Sequence, residues 1–224
     1  MNSGAAIKPS WAAQNAQSET RETLLAAAIK LMIDKDSVDI SLSEIALKTS
    51  LSAALVQYHF GSKAGLMMAI LENGSARAAD QLAALQTMPV SAEKKLRLHV
   101  GGLVTAYVRA PYLDRLMHAL MQTADDAGAR HISEIFIKPV ADFHAALIAQ
   151  GVAEGVFRRV DPMHFYFILV GACDHIVARR KALQHVFAVE DLTDELRRNY
   201  AETVYRVILA GIAAGPAKSG EASP

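Results

Sequence analysis

The sequence predicts an all-α fold: a small three-helix unit at the N-terminal end, joined by a long helix to a larger helical body. Three observations carry this prediction. Apolar residues recur every three or four positions through most of the 224 residues, a spacing that lines one face of an α-helix. Ala, Leu, Ile, Val and Met are abundant, and few Gly or Pro fall inside the periodic runs, as helix propensity requires. Ser, Thr or Asp stands just before several of these runs, where a helix cap belongs.

Composition narrows the class. The formal net charge is zero, so there is no overall pull toward a polyanion. Cys173 is the only cysteine, which excludes an intramolecular disulfide and a cysteine-based zinc site. The start, MNSGAAIKPSWAAQ, lacks the apolar core of a signal peptide. The most apolar run, residues 165–173, is about half the ~20 residues that cross a bilayer. A cytoplasmic protein without membrane association is expected.

Residues 1–17 mix Gly, Pro, Ser, Asn and Ala without period and predict a disordered arm. Ser18 is a plausible cap for a first helix over residues 19 to about 34, with Leu24, Ala28, Leu31 and Met32 at helical spacing and Arg21 and Lys30 on its polar face. Ser41 and Glu44 have the S-x-x-E spacing of a capping box, and Ile40 and Ile45 stand where a hydrophobic staple would. Thr49, Ser50 and Leu51 form a joint, after which Ser52 can cap the next helix. Two short helices about such a turn follow the plan of a helix-turn-helix.

On the second of these helices, an advance of ~100° per residue turns Ser52, Val56 and Phe60 toward the core. Ala54 and Tyr58 fall on the opposite side, flanked by Leu55 and Gln57. Gln pairs with adenine edges, Ala permits close approach and Leu touches a thymine methyl. Tyr58, His59 and Lys63 stand at the rim, where phosphate contacts fix register, and the helix after Ser62 points free amides outward. Between Ile45 and Leu71 there is no Asp or Glu, so local charge favours a polyanion although the total does not.

The stretch LSAALVQYHFGSKAGL, residues 51–66, resembles the signature of the tetracycline-repressor (TetR) family of bacterial transcription regulators. With the helices before it, the resemblance covers about residues 18–71. It implies a double-stranded DNA partner, with Tyr58, His59 and Lys63 on phosphates. Ala53, Ala54, Leu55 and Gln57 match groove-facing positions, and Arg21 and Ser41 lie near positions that touch the backbone. Lys48 and Ser52 complete the expected contact set. Two departures stand out: Ser50 replaces the usual turn Gly, predicting a strained turn, and Gln57 replaces a first aromatic residue, predicting different base readout.

The remaining chain reads as helices over residues 63 to about 85, from Ser91 to a stop at Pro111, over 112–122, over 130–150 with a kink at Pro139, over 162 to about 188, and over 194–212. Asp125 to Gly128 reads as a turn, Asp161 and Thr193 as caps, and Pro162 as a first helical residue. The expected organisation is a DNA-binding unit over 18–66, a ligand-binding and dimerisation domain over 67–215 and a disordered tail over 216–224. The last two helices carry more apolar surface than one subunit needs. In the resembled family they form a four-helix bundle across a two-fold axis, and a dimer meets two half-sites, so a homodimer is expected.

Seven of the eight histidines lie in the larger domain. No pair is spaced i,i+4, and no H-E-x-x-H, E-x-x-H or G-x-S-x-G is present, so no catalytic residue, metal or cofactor is predicted. His118, His144, His164 and His175 read as hydrogen-bonded core residues. Tyr107, Tyr112, Met117, His118, Met121, Phe136, His144, Phe165 and Cys173 are the pocket candidates, although each also suits the core. They suggest a largely apolar small-molecule effector. The expected function is a repressor released from a palindromic operator by that effector. The alternative is an all-helical enzyme or small-molecule-binding protein whose helix-turn-helix is only structural.

Overall fold

The computed structural model describes residues 11–214, and expectations for residues 1–10 and for the tail lie outside this range. The N-terminal unit consists of α1 (Trp11–Lys35), α2 (Leu42–Thr49) and α3 (Ala53–Phe60). The long α4 (Lys63–Thr87) leads to α5 (Ala92–Arg109), α6 (Pro111–Thr123) and α7 (Asp126–Ile132). Then follow α8 (Lys138–Ala153), α9 (Pro162–Ala178), α10 (Arg180–Phe187) and α11 (Asp194–Ile212).

The helix starts obey local chemistry. Ser41 and Glu44 form the complete capping box: the Glu44 amide donates to Ser41 Oγ at 3.2 Å, and the Ser41 amide donates to Glu44 Oε2 at 2.8 Å. Hydrogen bonds from Lys35 and from the Ser41 amide and hydroxyl pull the Glu44 carboxyl down to about 2. Ser62, Ser91, Asp161 and Thr193 each accept an amide hydrogen bond from the first turn they cap. Ser52 does not. It holds the cap position of α3 with extended backbone, but its hydroxyl makes no capping bond.

Four boundaries differ from expectation. First, α1 begins at Trp11, so residues 11–17 are helical and Ser18 lies inside the helix instead of capping it. Ala12, Ala13 and Ala16 favour continuation, and nothing in the stretch breaks it. Second, Asp125 to Gly128 is a helix start: Asp125 Oδ1 accepts from the Gly128 amide at 2.8 Å. Third, the chain widens into a π-helical turn over Ser133–Ile137 just before Pro139, which accommodates the missing proline amide as a wider turn. Fourth, the helix expected to reach residue 188 breaks at Arg179, and the following α10 buries no residue.

Two cores organise the packing. Leu24, Ala28, Met32, Ile40, Ile45, Val56, Leu66 and Ile70 fill the first, together with Leu116, Met117 and Ile132. The N-terminal unit thus shares a core with α6 and α7. Leu96, Val100, Val104, Phe143, Leu147, Phe165, Leu169, Cys173 and Ile208 belong to the second. Inside it His99 and His144 meet Nε2 to Nε2 at 2.7 Å. Burial holds both imidazoles toward the neutral form, His99 well below its ordinary value and His144 at about 4. One ring donates and the other accepts. The expectation of a core histidine thus describes His144 alone of the four, since His118, His164 and His175 are exposed.

Ser50 closes α2 in the left-handed conformation, φ 57 and ψ 22, the geometry for which glycine is suited. Ser50→Gly is therefore expected to raise the unfolding free energy by about 1 kcal/mol. A urea melt with an unchanged midpoint would show that the joint holds serine without strain.

Candidate nucleic-acid interface and ligand cavity

Packing fixes how α3 is presented. Val56 is fully buried and Phe60 half-buried, so the opposite side of the helix, Ala53, Ala54, Gln57 and Tyr58, faces outward. Tyr58 is 70% exposed, and its hydroxyl accepts from Gln17 Nε2 at 3.1 Å. The half-buried His59 ring stands edge-on to Tyr58, with centroids 5.1 Å apart. Leu55 departs from expectation: it is half-buried and packs against the first core, which leaves Gln57 and the small alanines on the outer face of the helix. Ser52 is exposed beside them.

The cationic residues at the rim have internal partners. Lys48 Nζ lies 3.2 Å from Asp34 Oδ2, and Lys63 Nζ lies 3.3 Å from Asp39 Oδ1. Hydrogen bonds from Lys30 and then Lys48 hold the Asp34 carboxyl below its usual value. These pairs are solvent-accessible and screened, Lys63–Asp39 more than Lys48–Asp34, so a phosphate can replace the carboxylates at little cost. Arg21 lies over the Phe60 ring at 5.2 Å, which ties α1 to the end of α3. The Ser41 hydroxyl is engaged in its capping box.

A separate cavity of about 110 Å³ opens between α4, α5, α6, the π-helical turn and α8. Of the pocket candidates Tyr107 and Phe136 line it, and the wall also includes Leu82, Leu103, Leu113, Asp114 and Val140. The other seven candidates are not among the lining residues. Met117 is buried in the first core, and Tyr112 and Met121 pack against that core. Phe165 and Cys173 belong to the second core, His144 is fully buried beside His99, and His118 is exposed near Asp114. Sequence periodicity did not single out Asp114, which is the one ionisable carboxylate on the wall.

Two residues missed by sequence reasoning join the halves. Arg115, next to Asp114 on α6, donates from Nη1 to the Asp36 carbonyl at 2.7 Å and to Asp36 Oδ1 at 2.6 Å. Asp36 lies in the turn after α1 with φ 48, and 79 residues separate the partners, so no local pattern announces the contact.

A short helix displayed outward from a shared core, with a helical body holding a cavity behind it, defines a helix-turn-helix regulator. Residues 24–70 match bacterial regulatory proteins of the tetR family, and residues 89–218 match the tetracyclin repressor-like C-terminal domain. The chain belongs to the TetR family and is a DNA-binding transcription regulator. The HTH-type transcriptional repressor NicS of Pseudomonas putida is 23% identical over 196 residues, covering 86% of this chain and 92% of that protein. A TetR/AcrR-family regulator from Thermobifida fusca has a TM-score of 0.67 at 20% identity, covering 86% of this chain and 98% of that one. FadR from Bacillus subtilis, solved with stearoyl-CoA, has a TM-score of 0.66 at 13% identity, covering 85% and 98%.

Proposed function

We propose that the protein is a cytoplasmic, homodimeric repressor that binds a roughly palindromic operator and leaves it when a small molecule occupies the α4–α8 cavity. Residues 18–66 serve as the DNA-binding unit and 67–215 as the ligand-binding and dimerisation domain. The observation that carries this reading is the outer face of α3: Ala53, Ala54, Gln57 and Tyr58 are exposed while Val56 is locked in the core. Tyr58, His59 and Lys63 then serve as phosphate contacts, with Lys48, Arg21 and Ser52 beside them. Gln57 is the strong base-edge reader.

Release follows from the path through α6. Leu113 and Asp114 touch the cavity, and Arg115 grips Asp36. A ligand that favours one position of α6 therefore biases the DNA-binding unit, and coupling of ~1–3 kcal/mol is sufficient.

The experiment is a gel shift on a duplex enriched from random DNA. Tyr58→Ala combined with Lys63→Ala is expected to weaken binding and, through the lost lysine charge, reduce the salt slope by about one. Gln57→Ala is expected to relax one position of the site by about 1–3 kcal/mol. An unchanged slope sinks the phosphate assignment, and failure to enrich any sequence sinks the regulator reading.

A further inference from the structure

The α4–α8 cavity has an asymmetric chemistry. Its wall is apolar except for Ser75, Tyr107 and Asp114, and it contains no Lys, Arg or His. The Ser75 hydroxyl is already committed, donating to the Leu71 carbonyl at 2.8 Å. The Tyr107 hydroxyl makes no hydrogen bond among the described residues, which leaves it free to accept from a ligand. Asp114 is a carboxylate with a side chain only 16% exposed. Its nearest ring partner is His118, with Nε2 3.4 Å from Oδ2 and a side chain 67% exposed.

The surrounding field sharpens the asymmetry. Burial, then the charge of Asp174, pushes the Asp114 carboxyl above its usual value, and His118 and Arg115 only partly oppose them. Burial also pushes the Tyr107 phenol up, reinforced by Asp114 and Asp174. The cavity end is thus short of positive charge. An anionic ligand would place like charge on a desolvated carboxylate, whereas a cation relieves the cost of burying it. Size is restricted as well. About 110 Å³ is below the roughly 300–1,000 Å³ of sites for drug-sized ligands and near the roughly 150 Å³ that accepts benzene.

We propose that the cavity takes a compact, single-ring amine, its ring among Leu82, Leu103 and Phe136 and its ammonium donating to the Asp114 carboxylate and the Tyr107 hydroxyl. The proposal rests on the ligand-responsive reading above and narrows its ligand class.

The test uses the full-length protein and three probes of matched size, benzylamine, benzyl alcohol and benzoate, titrated by calorimetry. Benzylamine is expected to bind tightest and benzoate not at all. Asp114→Asn is expected to weaken benzylamine about ten-fold or more, because a charge-assisted hydrogen bond is lost, and Tyr107→Phe by several-fold. The aspartate variant is checked by circular dichroism, and Tyr107→Phe, which removes one oxygen that has no partner, provides the readout if it misfolds. Benzoate or benzyl alcohol binding as tightly as benzylamine overturns the proposal, as does the absence of binding by all three. Gel shifts with the same preparations separate the two readings. Benzylamine that binds without displacing DNA supports the amine site and overturns only the release mechanism.

Discussion

Phe167→Glu combined with Val207→Glu is expected to turn the protein into a folded monomer that has lost operator binding. The two side chains lie on the last two long helices, α9 and α11, and are 67% and 66% exposed. Ile168 at 60% and Met163 at 56% lie beside Phe167. Gly171, one turn beyond Phe167 on the same helix, is exposed and has nothing within 4 Å of where a Cβ would sit, so a second backbone can approach closely. An exposed apolar surface of this kind marks an association site. In an isologous dimer through this face, both partners would bring their glutamates into one desolvated patch, where like charges oppose one another.

Loss of the dimer removes the second half-site contact, and avidity of that kind contributes about 10²- to 10⁴-fold. Light scattering should report half the mass, with unchanged helical content, because exposed substitutions remove no core contact. A variant that stays dimeric and binds its operator normally would overturn the assignment of this face.

The local signals were the legible ones. The capping box of Ser41 and Glu44, the caps at Ser62, Ser91, Asp161 and Thr193, and the inward turn of Val56 all depend on residues within one or two helical turns of each other. Spacing alone therefore exposes them. The strain at Ser50 was legible only through the resemblance, which places glycine at that turn; the left-handed backbone itself is a product of the fold. The cavity was not legible. Its wall is drawn from separate helices, and whether a tyrosine such as Tyr107 faces a void or, like Tyr112, packs on a core is decided by how those helices cross. The pairs His99–His144, 45 residues apart, and Arg115–Asp36, 79 apart, are likewise products of the assembled fold. Lys48 and Lys63 were legible as rim cations, but their pairing with Asp34 and Asp39 required α1 and its following turn to be in place.

Gly65→Ala is expected to abolish DNA binding while leaving the larger helical body folded. Gly65 is the third residue of α4, and its amide donates to the Ser62 cap at 3.0 Å. A Cβ there would lie 2.0 Å from the Phe60 carbonyl oxygen and 3.2 Å from its carbon. The obstacle is backbone at the end of α3, so no side-chain rotation relieves it. Either α4 loses its first turn or α3 is displaced, and either outcome costs about 1–3 kcal/mol or more by overpacking. Both disturb the presentation of Gln57, Tyr58 and Lys63, the residues proposed to meet base edges and phosphates, and such contacts depend on placement. Gly101→Ala is the matched control: it lies within α5 with nothing within 4 Å of a Cβ, and alanine there should stabilise by about 0.5–1 kcal/mol through helix propensity. Chemical denaturation and gel shift on the two variants should therefore move in opposite directions. Normal operator affinity in the Gly65 variant would show that the α3–α4 junction yields without moving the recognition helix.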